Sequence, residues 1–322
     1  MKKKILFGYN FRRDAFKSLE EEFDVTYPEK EYFNREELLE LIPEYDVLVP
    51  NFNAKIDKEM IDRGEKLKLI ANFGVGYDNI DAAYAGKKGV VVANTPRSVL
   101  EPTAELCFGL LLAASRLLVY YDRRLRTPEG MSWKLYDDLG TMVYGKTLGV
   151  LGMGRIGRAV ARRAVASGMN ILYHNRKRDP EADRLFNARY VETEELFSQS
   201  DFLTLHAPAT SETYHIIDEE AISKMKSSAI LVNTARGNLI DDRALLKALR
   251  EKRIRGAGLD VYENEPRINP GFFELDNVVL LPHAGTKTDE SRNDMQQEVA
   301  DNIRGFFNGG PVSKVPETAN GE

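Results

Sequence analysis

The spacing of Gly152, Gly154 and Gly157, a G-x-G-x-x-G pattern, limits what this chain can fold into more than any other sequence feature. The pattern directly follows an apolar run at 148–151 and precedes a helical pattern at 158–167. In such a strand-to-helix turn, the first glycine permits the tight bend, the second lets backbone amides approach a pyrophosphate, and the third allows close helix packing. Because a helix N-terminus also favours anions, the pattern predicts a dinucleotide site that includes Arg155 and Ile156.

Short apolar runs rich in β-branched residues alternate with helical patterns along the chain, which predicts parallel sheets wrapped by helices. The first series has predicted strands at 4–7, 24–27, 47–49, 67–72 and 90–93, with helices at 14–22 and 34–41. The second series has six predicted strands, at 148–151, 170–173, 202–205, 229–232, 256–259 and 278–281. The fold class is therefore α/β, and the second series suits a doubly wound parallel-sheet (Rossmann) cofactor domain.

Two long helices are predicted to join the two domains. The first begins near Pro102 and is expected to bury a stripe formed by Leu106, Leu110, Ala113 and Leu117. The second spans 288–306 and has Met295, Val299 and Ile303 at helical spacing. The tail from 311 onward is expected to be loosely ordered.

Composition narrows the classes of partner. The 322 residues suit two domains, and 43% hydrophobic with 30% charged residues indicates a folded protein. The net charge of -5 argues against a broad nucleic-acid or membrane surface, so small molecules are the expected partners. The longest apolar run, 106–114, is far below the roughly 20 residues of a membrane-spanning helix. The single cysteine, Cys107, is expected to be a buried structural thiol, which is consistent with a cytoplasmic location.

The tip of the second strand in the cofactor domain has no carboxylate to bind an adenosine ribose. Instead, Asn175 is followed by Arg176, Lys177 and Arg178. A carboxylate there would bind the two ribose hydroxyls of NAD and repel a 2′-phosphate, whereas a guanidinium can pair with that phosphate. We therefore expect NADP(H), with Arg176 as the phosphate contact, helped by Lys177 or Arg178, while NAD(H) and a merely solvated basic turn remain the alternatives.

Three candidate catalytic residues follow strands of the same predicted sheet: Arg236, Glu265 and His283. Functional groups in open α/β sheets gather at these strand ends, although a lone histidine there is often structural. The four histidines of the chain show no metal-ligand spacing, so no metal is expected.

The order of these segments resembles the D-isomer-specific 2-hydroxyacid dehydrogenase family, which includes glyoxylate and hydroxypyruvate reductases. Further matches are the segments 73–81, 94–96, 103–105 and 206–208, so the resemblance covers nearly the whole chain. It implies a homodimer and a cofactor domain, 101–287, inserted in a smaller flavodoxin-like α/β substrate domain built from 1–100 and 288–322.

The residue types fit reduction of a 2-oxo acid, and the resemblance implies that the product is the D-2-hydroxy acid. Arg236 can bind the carboxylate and carbonyl oxygens as a permanently charged fork. His283 can supply the proton, and Glu265 would orient the ring and favour its charged form. The resemblance further implies that the amides of Val75 and Gly76 meet the substrate carboxylate.

The same resemblance implies contacts with the cofactor. Asp260 should lie near the nicotinamide carboxamide, and other residues should approach the cofactor: Thr103, His206, Ala207, Pro208, Thr234 and Ala235. Thr103 could instead begin a helix, and His206 could serve packing alone.

Substrate choice is left open by the sequence. Glu265 stands where formate dehydrogenases have glutamine, and the loop at 50–54 lacks the cation a phosphoglycerate would need, although Lys55 is nearby. Phe52 could cap a small substrate, and Trp133 matches a position that reaches into the partner subunit of related reductases. Glyoxylate or hydroxypyruvate is favoured, with D-lactate, phosphoglycerate or longer-chain acids as alternatives. A more remote alternative is a dinucleotide-sensing, corepressor-like binding protein.

Overall fold

A computed structural model of the chain describes residues 2–50 and 54–319. The chain divides into two compact units, and each has its own parallel sheet and core. Unit 1 comprises Met1–Val99 and Lys287–Glu322, and unit 2 comprises Leu100–Thr286. Phe52, predicted above as a substrate cap, lies outside the described residues.

Unit 1 begins with a five-stranded parallel sheet in the order β2-β1-β3-β4-β5, which is the flavodoxin-like order. The strands are β1 (Lys4–Phe7), β2 (Asp24–Thr26), β3 (Val47–Val49), β4 (Leu69–Ala71) and β5 (Val91–Ala93). The connecting helices are α1 (Lys17–Glu22), α2 (Arg35–Leu41), α3 (Lys58–Arg63) and α4 (Ala82–Lys87). The central strands are aliphatic and fully buried because helices cover both faces of the sheet.

Unit 2 contains a seven-stranded parallel sheet in the order β12-β11-β10-β9-β6-β7-β8. Its elements are α5 (Leu100–Ser115), α6 (Leu118–Leu125), β6 (Thr147–Leu151), α7 (Arg155–Ala166), β7 (Asn170–His174), α8 (Pro180–Phe186), β8 (Arg189–Tyr190), α9 (Thr193–Gln199), β9 (Phe202–Leu205), α10 (Glu219–Lys224), β10 (Ile230–Asn233), α11 (Asp242–Arg250), β11 (Gly256–Leu259) and β12 (Val278–Leu280). The strand order reverses between β6 and β9, and ligands bind outside the strand ends at such a reversal. The predicted α/β class and doubly wound sheet are confirmed, but the prediction of six strands was wrong. It missed β8, whose two residues are too few to show a periodic pattern.

The predicted stripe on the first long helix was also wrong in part. α5 ends at Ser115, and Leu117 adopts a left-handed conformation with φ of 55° before α6 begins. The buried face of α5 instead includes Cys107, Leu110 and Leu111, because the helix packs against both α7 and the sheet of unit 2. Among the described residues, no single helix could cross a membrane by length and apolarity; only α5 and α6 together meet that test, and they bend by 61°.

The chain then returns to unit 1 through α12 (Asp289–Asn308) and α13 (Pro316–Ala319). As predicted, Met295, Val299 and Ile303 are buried, and they pack on the sheet of unit 1. The expectation of a loose tail was wrong as far as the described residues extend. Val315 is buried and its amide donates to Val92 O at 2.9 Å, so this segment is held by the edge of the sheet.

Candidate active site

The glycine loop lies between β6 and α7, beside the reversal of strand order. Gly152 has φ of 100°, and a Cβ there would lie 2.6 Å from the backbone nitrogen of Ala207, so only glycine fits. A Cβ on Gly157 would overlap the carbonyl oxygen of Gly152. At Gly154, by contrast, there is open space, because a Cβ there would meet no atom within 4 Å.

The N-terminus of α7 is open to a ligand. Gly154 is the N-cap residue, and no side chain caps the helix. Gly154 and Arg155 are exposed, and Ile156 is half-buried. Uncapped amides at the positive end of a helix dipole suit a pyrophosphate, so the residues present fit a dinucleotide.

In the described part of the chain, some polar side chains at the tip of β7 bind other parts of the protein, and others do not. The side-chain oxygen of Asn175 accepts a hydrogen bond from the Met153 amide at 2.6 Å, so Asn175 braces the glycine loop. Arg178 forms an ion pair with Asp183 at 2.7 Å. Arg176 and Lys177 are exposed. All three cations are exposed, but the predicted helper Arg178 is already paired with Asp183, whereas Arg176 and Lys177 form no ion pair within the described residues.

His206 follows β9 and is partly buried. Desolvation lowers its pKa to about 4, so its ring is neutral at pH 7. Its Nε2 lies 3.9 Å from the Sγ of Cys107, whose pKa burial raises to about 12. Cys107 is therefore the buried, inert thiol that the sequence predicted.

The other residues carried over from the family resemblance follow β9 and β10 or lie in the first turn of α5. Thr103 and Thr234 are buried, Ala207 and Ala235 are half-buried, and Pro208 is exposed. The side chain of Thr103 lies 3.4 Å from the position a Cβ would take on Gly285, two residues after His283.

Arg236, Glu265 and His283 come together after β10, β11 and β12. His283 Nδ1 and Glu265 Oε2 are 2.7 Å apart, and the other carboxylate oxygen of Glu265 accepts a hydrogen bond from the Tyr262 amide at 2.8 Å. Burial alone would raise the pKa of Glu265, but the hydrogen bond and charge of His283, with a smaller effect of Arg236, lower it below its ordinary value. The site thus pairs an ionised carboxylate with an imidazole beside a guanidinium.

Asp260 positions the segment that carries His283, a role the sequence reasoning missed. Its carboxylate accepts hydrogen bonds from the amides of Ala284 at 2.7 Å and Gly285 at 2.9 Å, and its carbonyl accepts from the amide of His283 at 2.8 Å. His283 is held at φ of 51°, an uncommon left-handed conformation. Burial raises the pKa of Asp260. The periodicity of the sequence holds no signal for these contacts, which depend on the turn after β12.

Val75 and Gly76 lie in unit 1, in the loop that follows β4. All three carbonyls of residues 74–76 accept side-chain hydrogen bonds, from Asn72 and Asn94. The amides of Val75 and Gly76 have no hydrogen-bond acceptor within residues 2–50 and 54–319. Amides that face away from bound carbonyls can bind an anion such as a carboxylate.

The described part of the chain contains no group of three or more His, Cys, Asp or Glu side chains that could hold a metal ion. Unit 2 therefore contains a nucleotide-binding loop, a guanidinium and a carboxylate–imidazole pair, and unit 1, taken by itself, contains an amide-rich loop.

Comparisons with known proteins give the same assignment as this geometry. The sequence profile for the D-isomer specific 2-hydroxyacid dehydrogenase NAD binding domain matches residues 108–285. The chain is 45% identical to the glyoxylate reductases of Thermococcus onnurineus and Pyrococcus horikoshii, over 99% of this chain and 96% of each relative.

Solved structures match nearly the whole chain. A glyoxylate reductase from Paecilomyes thermophila superposes with a TM-score of 0.89 at 37% identity, covering 98% of this chain and 99% of that one. An NADPH-dependent glyoxylate/hydroxypyruvate reductase from Sinorhizobium meliloti, solved with NADP and malonate, has a TM-score of 0.87 at 30% identity, covering 99% and 98%. The chain therefore belongs to the D-isomer-specific 2-hydroxyacid dehydrogenases, a family of NAD(P)-dependent oxidoreductases.

Proposed function

We propose that this dehydrogenase uses NADPH to reduce glyoxylate to the achiral glycolate or hydroxypyruvate to the D-2-hydroxy acid. The observation that carries the proposal is the 2.7 Å pairing of His283 with Glu265 beside Arg236, because a 2-oxo acid needs both a proton donor and a cation. The names of the relatives favour a small 2-oxo acid as the substrate. Lactate-sized, phosphorylated or longer acids are the alternative substrates.

Each residue has a distinct task in this proposal. Arg236 binds the carboxylate and polarises the carbonyl, and the amides of Val75 and Gly76 bind the carboxylate as well. The imidazolium of His283 donates its Nε2 proton to the carbonyl oxygen, since Nδ1 faces Glu265. Glu265 keeps the ring oriented and stabilises its charged form. The bound nicotinamide supplies the hydride.

The preference for NADPH rests on the tip of β7. Arg176 is exposed and can form a bidentate pair with a 2′-phosphate, and Lys177 adds a second positive charge. Asn175, which occupies the usual carboxylate position, brings no negative charge that would repel that phosphate.

We also propose a homodimer. A run of large apolar side chains in unit 2 is strongly exposed: Trp133, Leu135, Tyr136, Leu139, Met142 and Tyr144. Trp133 is 91% exposed, and a concentration of such side chains marks an interaction surface. A second copy of the chain is the partner that the family resemblance implies.

A panel of 2-oxo acids, each assayed with NADPH and then with NADH, tests the proposal. We expect the highest kcat/KM for glyoxylate or hydroxypyruvate with NADPH. A higher kcat/KM with NADH would reject the cofactor preference. NADPH binding without oxidation by any acid in the panel would instead favour a dinucleotide-sensing protein.

A further inference from the structure

All three carbonyl groups of residues 74–76 accept side-chain hydrogen bonds, and the Gly74 amide donates to Asn72 O at 3.1 Å. The Nδ2 of Asn72 donates to Gly74 O at 3.1 Å and to Gly76 O at 2.8 Å. The Nδ2 of Asn94 donates to Val75 O at 2.8 Å. Because successive carbonyls are bound on the protein side, the peptide planes of the loop are fixed, and so are the directions of its amides.

Asn72 is itself rigidly placed. It directly follows β4, its amide donates to Ala93 O at 2.8 Å, and the residue is fully buried. Its side-chain oxygen has no hydrogen-bond partner within the described ranges of the chain. A buried acceptor without a hydrogen bond costs folding free energy. The structure nevertheless directs both Nδ2 hydrogens of Asn72 to the loop and leaves its oxygen without a hydrogen bond within the described residues.

A second connection ties the loop to α12. The Nδ2 of Asn302 donates to Asn94 O at 2.9 Å, and its Oδ1 accepts a hydrogen bond from the Ser313 amide at 2.8 Å. Asn302 is buried on α12, so Asn94 is held from the helix side while it holds Val75. The loop is therefore braced from two directions within unit 1.

We infer that Asn72 is a positioning residue for substrate binding. Through the Gly74 carbonyl it orients the Val75 amide of the same peptide group, and through the Gly76 carbonyl it fixes Gly76, whose own amide is oriented by the bond from Asn94 to Val75 O, so that both amides are ready for a carboxylate. The inference deepens the proposed function and rests on it. Asn72 does not touch the substrate in this account, because its side chain is buried and its donors are already used. Its effect reaches the substrate through the orientation of two peptide groups, so it acts on substrate affinity and leaves cofactor affinity unchanged.

The chemistry of the side chain allows a test with a distinctive pH dependence. In Asn72→Asp, an ionised carboxylate would face two carbonyl oxygens and repel them, whereas the protonated form can again donate to one of them. In Asn72→Ala, the donors are lost at every pH. Asn34→Asp makes the same chemical change in unit 1, at the N-cap of α2, where a carboxylate caps equally well, so it is the matched control.

We expect Asn72→Ala to raise KM for glyoxylate about tenfold, corresponding to about 1.4 kcal/mol, with the Kd for NADPH unchanged. The KM ratio of Asn72→Asp to the native chain should exceed that of Asn72→Ala at pH 8 and fall toward it, or below it, at pH 5.5. Asn34→Asp should keep the native KM. A native KM in both Asn72 variants, or an Asn72→Asp ratio that does not depend on pH, would overturn the inference.

Oxamate, an unreactive 2-oxo acid analogue, separates this inference from the proposed function. If the native chain reduces no 2-oxo acid, the proposed function fails, but calorimetric titration with oxamate still tests whether Asn72→Ala weakens carboxylate binding about tenfold. If Asn72→Asp does not fold at pH 8, Asn94→Asp applies the same repulsion to the Val75 carbonyl. Unchanged oxamate affinity in the folded variants would refute the positioning role.

Discussion

Gly154→Ala offers a sharp test of the nucleotide site, because the structure separates cofactor binding from packing at this position. A Cβ on Gly154 meets no atom within 4 Å, and its φ of -81° suits alanine. The free energy of unfolding should fall by less than about 1 kcal/mol, the cost of a poorer N-cap. If the backbone there must approach a pyrophosphate, the methyl group removes one or more hydrogen bonds to a charged group. Each contributes about 1.5–3 kcal/mol, so the Kd for NADPH should rise about 10- to 150-fold.

Two other glycines complete this experiment. In Gly157→Ala the Cβ would overlap Gly152 O, so α7 must shift and stability should fall by about 1–3 kcal/mol. Gly109→Ala, in the exposed interior of α5 with no atom within 4 Å of the new Cβ, should stabilise the chain by up to about 1 kcal/mol and leave Kd unchanged. Thermal unfolding and fluorescence titration with NADPH measure both quantities. A native Kd in Gly154→Ala would refute close approach of the pyrophosphate, and native stability in Gly157→Ala would refute the packing argument.

Further predictions concern catalysis, cofactor choice and pH. His283→Asn should lower kcat by about 10²–10⁴-fold, and near-native turnover across pH would reject the proton-donor role. Arg176→Ser should raise KM for NADPH about tenfold or more while KM for NADH stays constant. Arg178→Ser, which breaks the pair with Asp183, is its control. Burial, with a smaller effect of Glu263, raises the pKa of Asp242 from 3.8 to about 6, so the folded state binds more protons than the unfolded state between these values. The free energy of unfolding should therefore fall as pH rises from about 4 to 6. Asp242→Asn should remove this dependence on pH and raise the free energy of unfolding at pH 7 by at most about 3 kcal/mol, as measured by urea unfolding. An unchanged slope in that variant would show that other groups dominate.

The sequence predicted those parts of the fold that have a local signal. Buried strands of three to five aliphatic residues, the glycine loop and the 3.6-residue spacing of Met295, Val299 and Ile303 are visible without tertiary information. β8 and the break between α5 and α6 at Leu117 are not visible in this way. Two residues are too few to show a period, and a left-handed leucine has no sequence signature. The order of segment 311–318 depends on contacts with β5, more than 200 residues away in sequence.

In the candidate site, likewise, some features could be predicted from local sequence and others could not. The residue types of Arg236, Glu265 and His283, together with their positions after strands, allowed roles to be suggested, and the geometry places them together. The supporting contacts were not predictable in this way. Asp260 and Asn72 act through backbone amides and carbonyls of turns whose shape no local pattern indicates. The sequence shows only that each is a polar residue directly after a buried strand. That position alone does not indicate which groups the side chain binds.

The return of the chain to unit 1 has a consequence for synthesis on the ribosome. α12 covers the apolar face formed by β1, β3 and β4, and Val315 adds to the edge at β5, yet both follow the whole of unit 2 in sequence. The first 99 residues therefore leave the ribosome without the helix that closes their core, whereas unit 2 is complete before α12 is made. Domains generally fold in the order in which they leave the ribosome. Here unit 2 can fold before unit 1 does, because residues 1–99 keep their apolar surface exposed until α12 has emerged. Nascent chains arrested so that residues up to 286 have emerged while α12 is still inside the ribosomal exit tunnel should accordingly protect unit 2 against proteolysis and leave unit 1 open to cleavage.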